Sequence, residues 1–329
     1  MVRVGLVGAG FMGRMHANVY AALPTAQVIA VADQRPEQLR ELAAQTSARP
    51  YSSMEEMLKT EKLDMVDICL PTYLHAEMSI KAARAGVHVL CEKPMATSVA
   101  LADEMIAEAR KHNVLLMVAH CIRFWPEYVK LREMVQSGAL GALKSLNLTR
   151  VSPRPTWAAN NWLMNEELSG SAALDLHIHD TDYALHLLGT PDSIAAKGTR
   201  TGDGLSHIAS LMTFGRTVVS LEGGWDFPAS FPFKMAFRAV FERGAMAMDG
   251  GPLTVYEEGK DPVVVEIEPM AAASAGGNIS DLGGYHGEIR YFVECVEKGE
   301  EPAMVTPESS RKSLEVTLRE IALARESAA

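Results

Sequence analysis

The chain has 329 residues, 31 basic against 41 acidic side chains, a net charge of −10 and 48% hydrophobic residues. That length and apolar share suit two domains with full cores, and an acidic chain without a clustered Lys/Arg stripe argues against nucleic acid or an anionic membrane as partner. No apolar run approaches the ~20 residues of a spanning helix, and the first residues enter a strand rather than a basic, then apolar leader, so a cytoplasmic protein is expected.

Strand-like and helix-like stretches alternate over the first part of the chain. Strands are predicted at 2–7, 28–32, 65–70, 87–91 and 115–119, with helices near 12–22, 35–46, 53–60, 74–85 and 98–112. Strands such as Met65-Val66-Asp67-Ile68-Cys69-Leu70 are mostly apolar, as strands covered on both faces are. The alternation predicts an α/β fold, a doubly wound parallel sheet over 1–120. Its first turn reads Gly8-Ala9-Gly10-Phe11-Met12-Gly13, with Asp33 twenty positions on, at the end of the second strand. Gly8 suits a tight turn, Gly10 a close approach of backbone to pyrophosphate, and Gly13 close helix–strand packing. The helix from Met12 aims its free N–H groups at phosphates. A glycine-rich turn without ligand is the plainer alternative. Asp33 suits the ribose hydroxyls, with Gln34 and Arg35 beside it, so NAD is the expected cofactor and NADP the alternative.

Two further loops follow strand ends, where open α/β sheets bind ligands. One is Leu70-Pro71-Thr72 with His75. The other is Cys91-Glu92-Lys93-Pro94, which projects Lys93 from the sheet edge; a solvated surface lysine is the alternative. Cys69, Cys91, Cys121 and Cys295 form no CxxC pair, and buried reduced thiols are expected.

From 121 to 329 the pattern changes to α+β. A helix follows Pro126 and ends at Gly138, then a strand at 144–151 and a long helix from Ser171 to Leu188. Strands are predicted near 193–201, 206–214, 217–224, 233–242, 245–248 and 263–268, joined by short turns, which implies a large, mainly antiparallel open sheet. Ala271 to Gly277 reads as a loop, and helices close the chain near 285–298 and 307–326, the last available to pack back on the first domain. On the 171–188 helix, Asp175, His179, Asp182 and His186 share one face at about 100° per residue, while His177 faces elsewhere. Three readings stay open: a His/Asp general-base pair, a metal site, or buried structural polar residues. The metal reading is the weakest, since His177 and His179 diverge and no HExxH or Cys pattern is present.

Together these residues resemble the glucose–fructose oxidoreductase/inositol dehydrogenase (Gfo/Idh/MocA) family over nearly the whole chain: the glycine turn, Pro71-Thr72 with His75, Ala85 to Pro94 ending Glu92-Lys93-Pro94, Arg123-Phe124, Gly170 to Asp182, and Thr306-Pro307-Glu308. The resemblance implies an NAD(P) domain, a C-terminal open sheet whose outer face joins subunits, hence a homodimer or homotetramer, and metal-free dehydrogenation of sugars or cyclic polyols. It implies Lys93, Asp175 and His179 as the catalytic set. Asp182, Tyr285 and His286 are implied substrate contacts, with Trp162, Arg123 and Asn160 or Asn161 as further polar groups; Arg123 is assigned to the cofactor side. Two departures are His177, where members often carry glycine, and Ser171-Ala172, where a longer glycine run is frequent. A dinucleotide-binding sensor without catalysis is the alternative from another class; it needs no intact Lys93/Asp175/His179 set. A hydrolase or lyase with bound NAD is a third.

Overall fold

Short apolar strands flanked by helices build the first sheet. The computed structural model describes residues 1–156, 158–201, 204–267 and 283–327. Strands β1 (Val2–Val7), β2 (Ala26–Ala32), β3 (Arg49–Tyr51), β4 (Met65–Ile68), β5 (His88–Glu92) and β6 (Leu116–Ala119) pair in the order 3-2-1-4-5-6, all parallel. Helices α1 (Phe11–Ala21), α2 (Pro36–Thr46), α3 (Met54–Thr60), α4 (His75–Arg84) and α5 (Val99–Lys111) connect them. This is the doubly wound order with its switch point between β1 and β4. Sequence reading missed β3: three residues with Pro50 at their centre carry no alternation, and an edge strand tolerates proline.

The second half holds helix α6 (Pro126–Ser137), the short α7 (Glu166–Ser169), α8 (Ile178–Leu188), α9 (Gly283–Lys298) and α10 (Pro307–Ser327). Its sheet contains β7 (Leu143–Pro153), β8 (Ser193–Thr201), β9 (Gly204–Phe214), β10 (Thr217–Phe227), β11 (Lys234–Phe241), β12 (Gly244–Met248), β13 (Thr254–Glu257) and β14 (Val263–Val264), in the order 14-13-12-11-7-10-9-8. Every pair is antiparallel except β7 with β10. The expected loop at 271–277 lies outside the described residues, as does the end of the strand expected at 263–268.

The chain divides into two compact units, Met1–Phe124 with Pro269–Lys312, and Trp125–Glu268 with Ser313–Ala329. Thus α9, assigned to the second domain from sequence order, groups with the parallel sheet. Its apolar face carries Ile289, Phe292 and Val293 into the core formed by Val4, Leu6, Val31, Met65, Leu90 and Met117. All four cysteines are free and buried. Among the described residues no helix is long and apolar enough to cross a membrane.

Within the second unit α8 is anchored on the sheet by polar contacts. Arg150 of β7 grips Asp180 through Nε at 3.2 Å and Nη2 at 2.9 Å, both side chains buried. Burial pushes the Asp180 carboxyl up, against the pull of Arg150. Tyr183 donates to the Tyr128 carbonyl at 2.6 Å and meets that ring edge-on at 4.8 Å. Asp180→Ala removes the carboxylate that balances the buried Arg150 guanidinium, and urea denaturation should report a loss of about 3–5 kcal/mol.

Candidate functional site

Parallel pairing brings the carboxyl ends of β1, β2, β4 and β5 to one edge, so Gly8, Asp33, Leu70 and Lys93 follow from the same edge. Gly8 has φ +102°, and a Cβ there would lie 2.3 Å from the Cys69 carbonyl oxygen. A Cβ on Gly13 would lie 1.8 Å from the Gly8 oxygen, so α1 rests directly on the turn. On Gly10 it would meet nothing nearer than Arg35 Nη2 at 3.8 Å. The chain's own packing therefore does not demand glycine at position 10; an approaching pyrophosphate does. Gly10 caps α1 without a side-chain bond, and no acid occupies its first turn, where Phe11 and Met12 stand half-buried. The helix's N-terminal N–H groups and positive dipole end suit an anion. These features fit a dinucleotide.

Asp33 is the second part of this cradle. Its Oδ2 accepts from Ala9 N at 2.6 Å and Arg35 Nη2 at 2.8 Å; its Oδ1 accepts from Arg35 N at 2.8 Å and Nε at 3.0 Å. Burial alone would raise its carboxyl, but the bonds from Arg35 and Ala9 prevail and hold it below the usual carboxylate range. Gln34 is exposed beside it.

Three residues assigned to cofactor binding turn out to brace the framework. Both His75 ring nitrogens meet backbone carbonyls, Nδ1 that of Pro94 at 2.7 Å and Nε2 that of Leu70 at 2.8 Å, in a fully buried setting that lowers its pKa. His75 so ties the Leu70-Pro71-Thr72 loop, which leads into a 3₁₀ turn at Thr72–Leu74, to the Glu92-Lys93-Pro94 loop. Glu92 is buried; its Oε2 accepts the Lys93 N–H at 3.0 Å and its Oε1 lies 3.0 Å from His16 Nε2. Arg123 is buried, with Nη1 donating to the Met304 carbonyl at 2.8 Å and to Ser309 Oγ at 3.1 Å. Lys93 itself is half-buried, and its bond to Pro94 is cis.

Sequence reading missed His16. Nδ1 lies 2.8 Å from Asp67 Oδ2 and 3.3 Å from Cys69 Sγ. Burial works against charge on this ring, but Asp67 and Cys69 outweigh it and raise its pKa well above the usual histidine value. The ligand atoms of His16, Asp67 and Cys69 lie within 4.8 Å of one another, a spacing closed here by their mutual contacts. The available signal was spacing: Gly13, His16, Ala17 and Tyr20 form an i, i+3, i+4, i+7 stripe on the core face of α1. Tyr285 and His286, implied substrate contacts, stand half-buried at the start of α9 in this same unit; burial and Arg290 lower His286.

In the second unit the expected helix 171–188 is helical throughout, with a π turn inside it. Residues Ala173–His177 form a π turn and α8 starts at Ile178. Asp175 stands half-buried in the wider turn, so uniform α-helical phase relates only His179, Asp182 and His186. π turns inside helices frequently accompany functional sites. His179 is only 9% exposed, whereas Asp182 is fully buried and accepts from Ser313 Oγ at 2.7 Å, which leaves it no surface for a substrate. His177 is also fully buried, Nε2 2.9 Å from Glu320 Oε1 and 3.3 Å from Ser210 Oγ. Gly223 opposite makes room: a Cβ there would lie 2.7 Å from that of His177. Ser171 takes a left-handed φ of +59°. Trp162 is half-buried in a 3₁₀ segment, Ala159–Met164, with Asn160 and Asn161 exposed at left-handed φ.

Residues 2–120 match the model described as "Oxidoreductase family, NAD-binding Rossmann fold", and 128–247 match "GFO/IDH/MocA C-terminal domain". The chain belongs to the GFO/IDH/MocA oxidoreductase family. A UDP-N-acetylglucosamine 3-dehydrogenase from Acidithiobacillus ferrooxidans is 30% identical over 296 residues, 83% of this chain and 89% of that protein. Its solved structure superposes with a TM-score of 0.80 at 25% identity, covering 100% of this chain and 99% of that one. Myo-inositol 2-dehydrogenase from Thermotoga maritima is 33% identical over 57% of this chain, a match spanning 55% of that enzyme's length. A 2,7-anhydro-N-acetylneuraminate hydratase from Escherichia coli is 30% identical over 63% of this chain and 54% of its own length.

In this GFO/IDH/MocA protein the two inner glycines should separate by experiment. Gly13→Ala drives a Cβ into backbone and should lower the thermal midpoint, overpacking of this kind costing about 1–3 kcal/mol. Gly10→Ala should leave the midpoint unchanged and weaken NADH binding in a fluorescence titration.

Proposed function

We propose that this protein is an NAD(P)-dependent dehydrogenase that oxidises, reversibly, a secondary alcohol of a sugar or cyclic polyol. The observation that carries the reading is the cradle at the sheet edge, an uncapped α1 behind an open Gly10 with Asp33 at the end of β2. The substrate class takes support from the relatives' names, UDP-N-acetylglucosamine and myo-inositol dehydrogenases.

When bound, the nicotinamide supplies the hydride acceptor. His179 takes the proton of the substrate hydroxyl as general base. Asp175 supports the imidazolium that results. Lys93 donates to the same oxygen and steadies the negative charge developing on it. Trp162, Tyr285 and His286 contact the substrate, while Asp182 acts by holding α8 through Ser313.

Screening sugars and polyols with NAD at 340 nm tests the reading. Net accumulation of NADH supports it; turnover of a sugar without NADH accumulation would favour a hydratase-type reaction instead. His179→Ala should lower kcat by about 10²–10⁴-fold with NADH affinity retained. Lys93→Ala should lower kcat and raise KM, and the double variant should lose far less than the product of the singles.

NAD should bind more tightly than NADP, because the Asp33 carboxylate repels a 2′-phosphate; Arg35, bound to Asp33 and partly exposed, narrows the difference. Parallel titrations of both reduced cofactors decide it, and Arg35→Ala should widen the gap.

The outer face of the second sheet is the proposed subunit interface. On β9, Ile208, Ser210 and Met212 are buried whereas Ala209 and Leu211 are exposed. Val218, Val240 and Tyr256, 41%, 42% and 45% exposed, fall in one cross-strand row through Ser145 and Ala245. An apolar row of this kind usually marks an interface. Light scattering should give a dimer or tetramer, and Val240→Glu a monomer.

A further inference from the structure

A polar cluster occupies the first unit where apolar packing would serve, and the chemistry proposed above gives no role to His16, Asp67, Glu92 or Glu288. His16 of α1 sits between two carboxylates: Nδ1 is hydrogen-bonded at 2.8 Å to Asp67 Oδ2, and Nε2 lies 3.0 Å from Glu92 Oε1, a close charge contact without hydrogen-bond geometry. A neutral imidazole brings no charge to this gap, whereas the imidazolium places its positive charge within 3.0 Å of both carboxylates. Asp67 Oδ2 also accepts from Tyr20 Oη at 2.9 Å, and Oδ1 lies 3.5 Å from Cys69 Sγ. The second oxygen of Glu92 accepts the backbone N–H of Lys93 at 3.0 Å. On the far side of that loop, His75 holds the Pro94 carbonyl at 2.7 Å.

Glu288 of α9 completes the cluster. It is fully buried, and among the described residues neither carboxylate oxygen has a hydrogen-bond partner. Ionised, it would add a third buried negative charge beside Glu92 and Asp67; burial and those two neighbours raise its pKa well above the usual carboxylate value. The groups that act on this centre are Tyr20 from α1, Asp67 and Cys69 from the end of β4, His75 from α4, Glu92 and Lys93 from β5, and Glu288 with the Tyr285 ring from α9.

We propose that His16 is a positioning residue for Lys93: its imidazolium, held by Asp67, fixes the Glu92 carboxylate so that Glu92 seats the Lys93 backbone, with Glu288 lying neutral alongside. The kinetic part of the test rests on the dehydrogenase reading; the exchange and stability parts do not.

The variants are His16→Gln, Glu92→Gln, the double variant and Glu288→Gln. His16→Gln strands a buried carboxylate, so kcat should fall by up to about 10²-fold, the scale of an ångström-level misplacement, with NADH affinity retained. The double variant replaces a charged pair by two neutral amides and should recover part of that loss, which generic destabilisation would not produce. Amide hydrogen exchange in the peptide carrying Lys93 should quicken in His16→Gln and slow again in the double variant. This measurement needs no turnover, so it separates failure of the positioning proposal from failure of the dehydrogenase reading.

Glu288 gives a pH signature. A carboxyl whose folded-state pKa is raised contributes stability that is present below its unfolded value and is lost as pH rises through its folded value. Wild type should therefore lose stability to urea relative to Glu288→Gln as pH rises from 5 to 9, and the alkaline limb of kcat should move to higher pH in that variant. Wild-type kcat and unchanged Lys93 exchange in His16→Gln would overturn the proposal. So would a double variant no better than His16→Gln, or a Glu288→Gln protein whose stability and pH profile track wild type.

Discussion

The first unit depends on how closely α1 approaches the turn after β1. Gly13 rests on the Gly8 carbonyl, and no side chain larger than hydrogen fits between them. That contact sets the helix's height over the sheet. It aims the uncapped N-terminus along the edge where strands β1, β2, β4 and β5 end. One turn on, it lowers His16 onto Asp67 and Cys69, and another turn on it brings Tyr20 to the same carboxylate. The cofactor cradle and the buried polar cluster are two consequences of one steric constraint.

Burying charge is costly unless every partner is in place. Both units meet that cost in the same way, by closing polar side chains on one another from separate elements. In the first unit, the participants come from α1, β4 and β5. In the second, Arg150 closes on Asp180, and His177 on Glu320, which also accepts from Thr181 Oγ1 at 2.8 Å. The His177 arrangement shows how a histidine is accommodated at this position. The bulk is absorbed by Gly223 across the contact, and the polarity by an acid on α10. His177 is fully buried and presents no polar atom at the surface.

Much of the fold was legible because period and punctuation are local. Apolar runs of strand length between helical stretches predicted the parallel sheet, and short turns predicted the antiparallel one. What escaped was what lacks a period: the three-residue β3 with its central proline, the β13 strand, and the π turn at Ala173–His177. A π turn differs from an α-helix by a single residue per turn, which hydrophobic spacing over so short a segment does not register.

The sequence by itself determined the alternation of elements, the glycine turn with its acid at Asp33, and the Glu92-Lys93-Pro94 and Asp175–His179 segments, because each is a pattern among near neighbours. Only tertiary structure decided which partners the buried polar residues meet. His75, Glu92, Arg123 and Asp182 all have the chemistry of binding residues. Their polar atoms are instead closed on Pro94 and Leu70, on His16 and Lys93, on Met304 and Ser309, and on Ser313. Those partners are distant in the chain or on other elements, and a buried polar atom takes whichever partner the packing brings to it. No spacing rule encodes that choice.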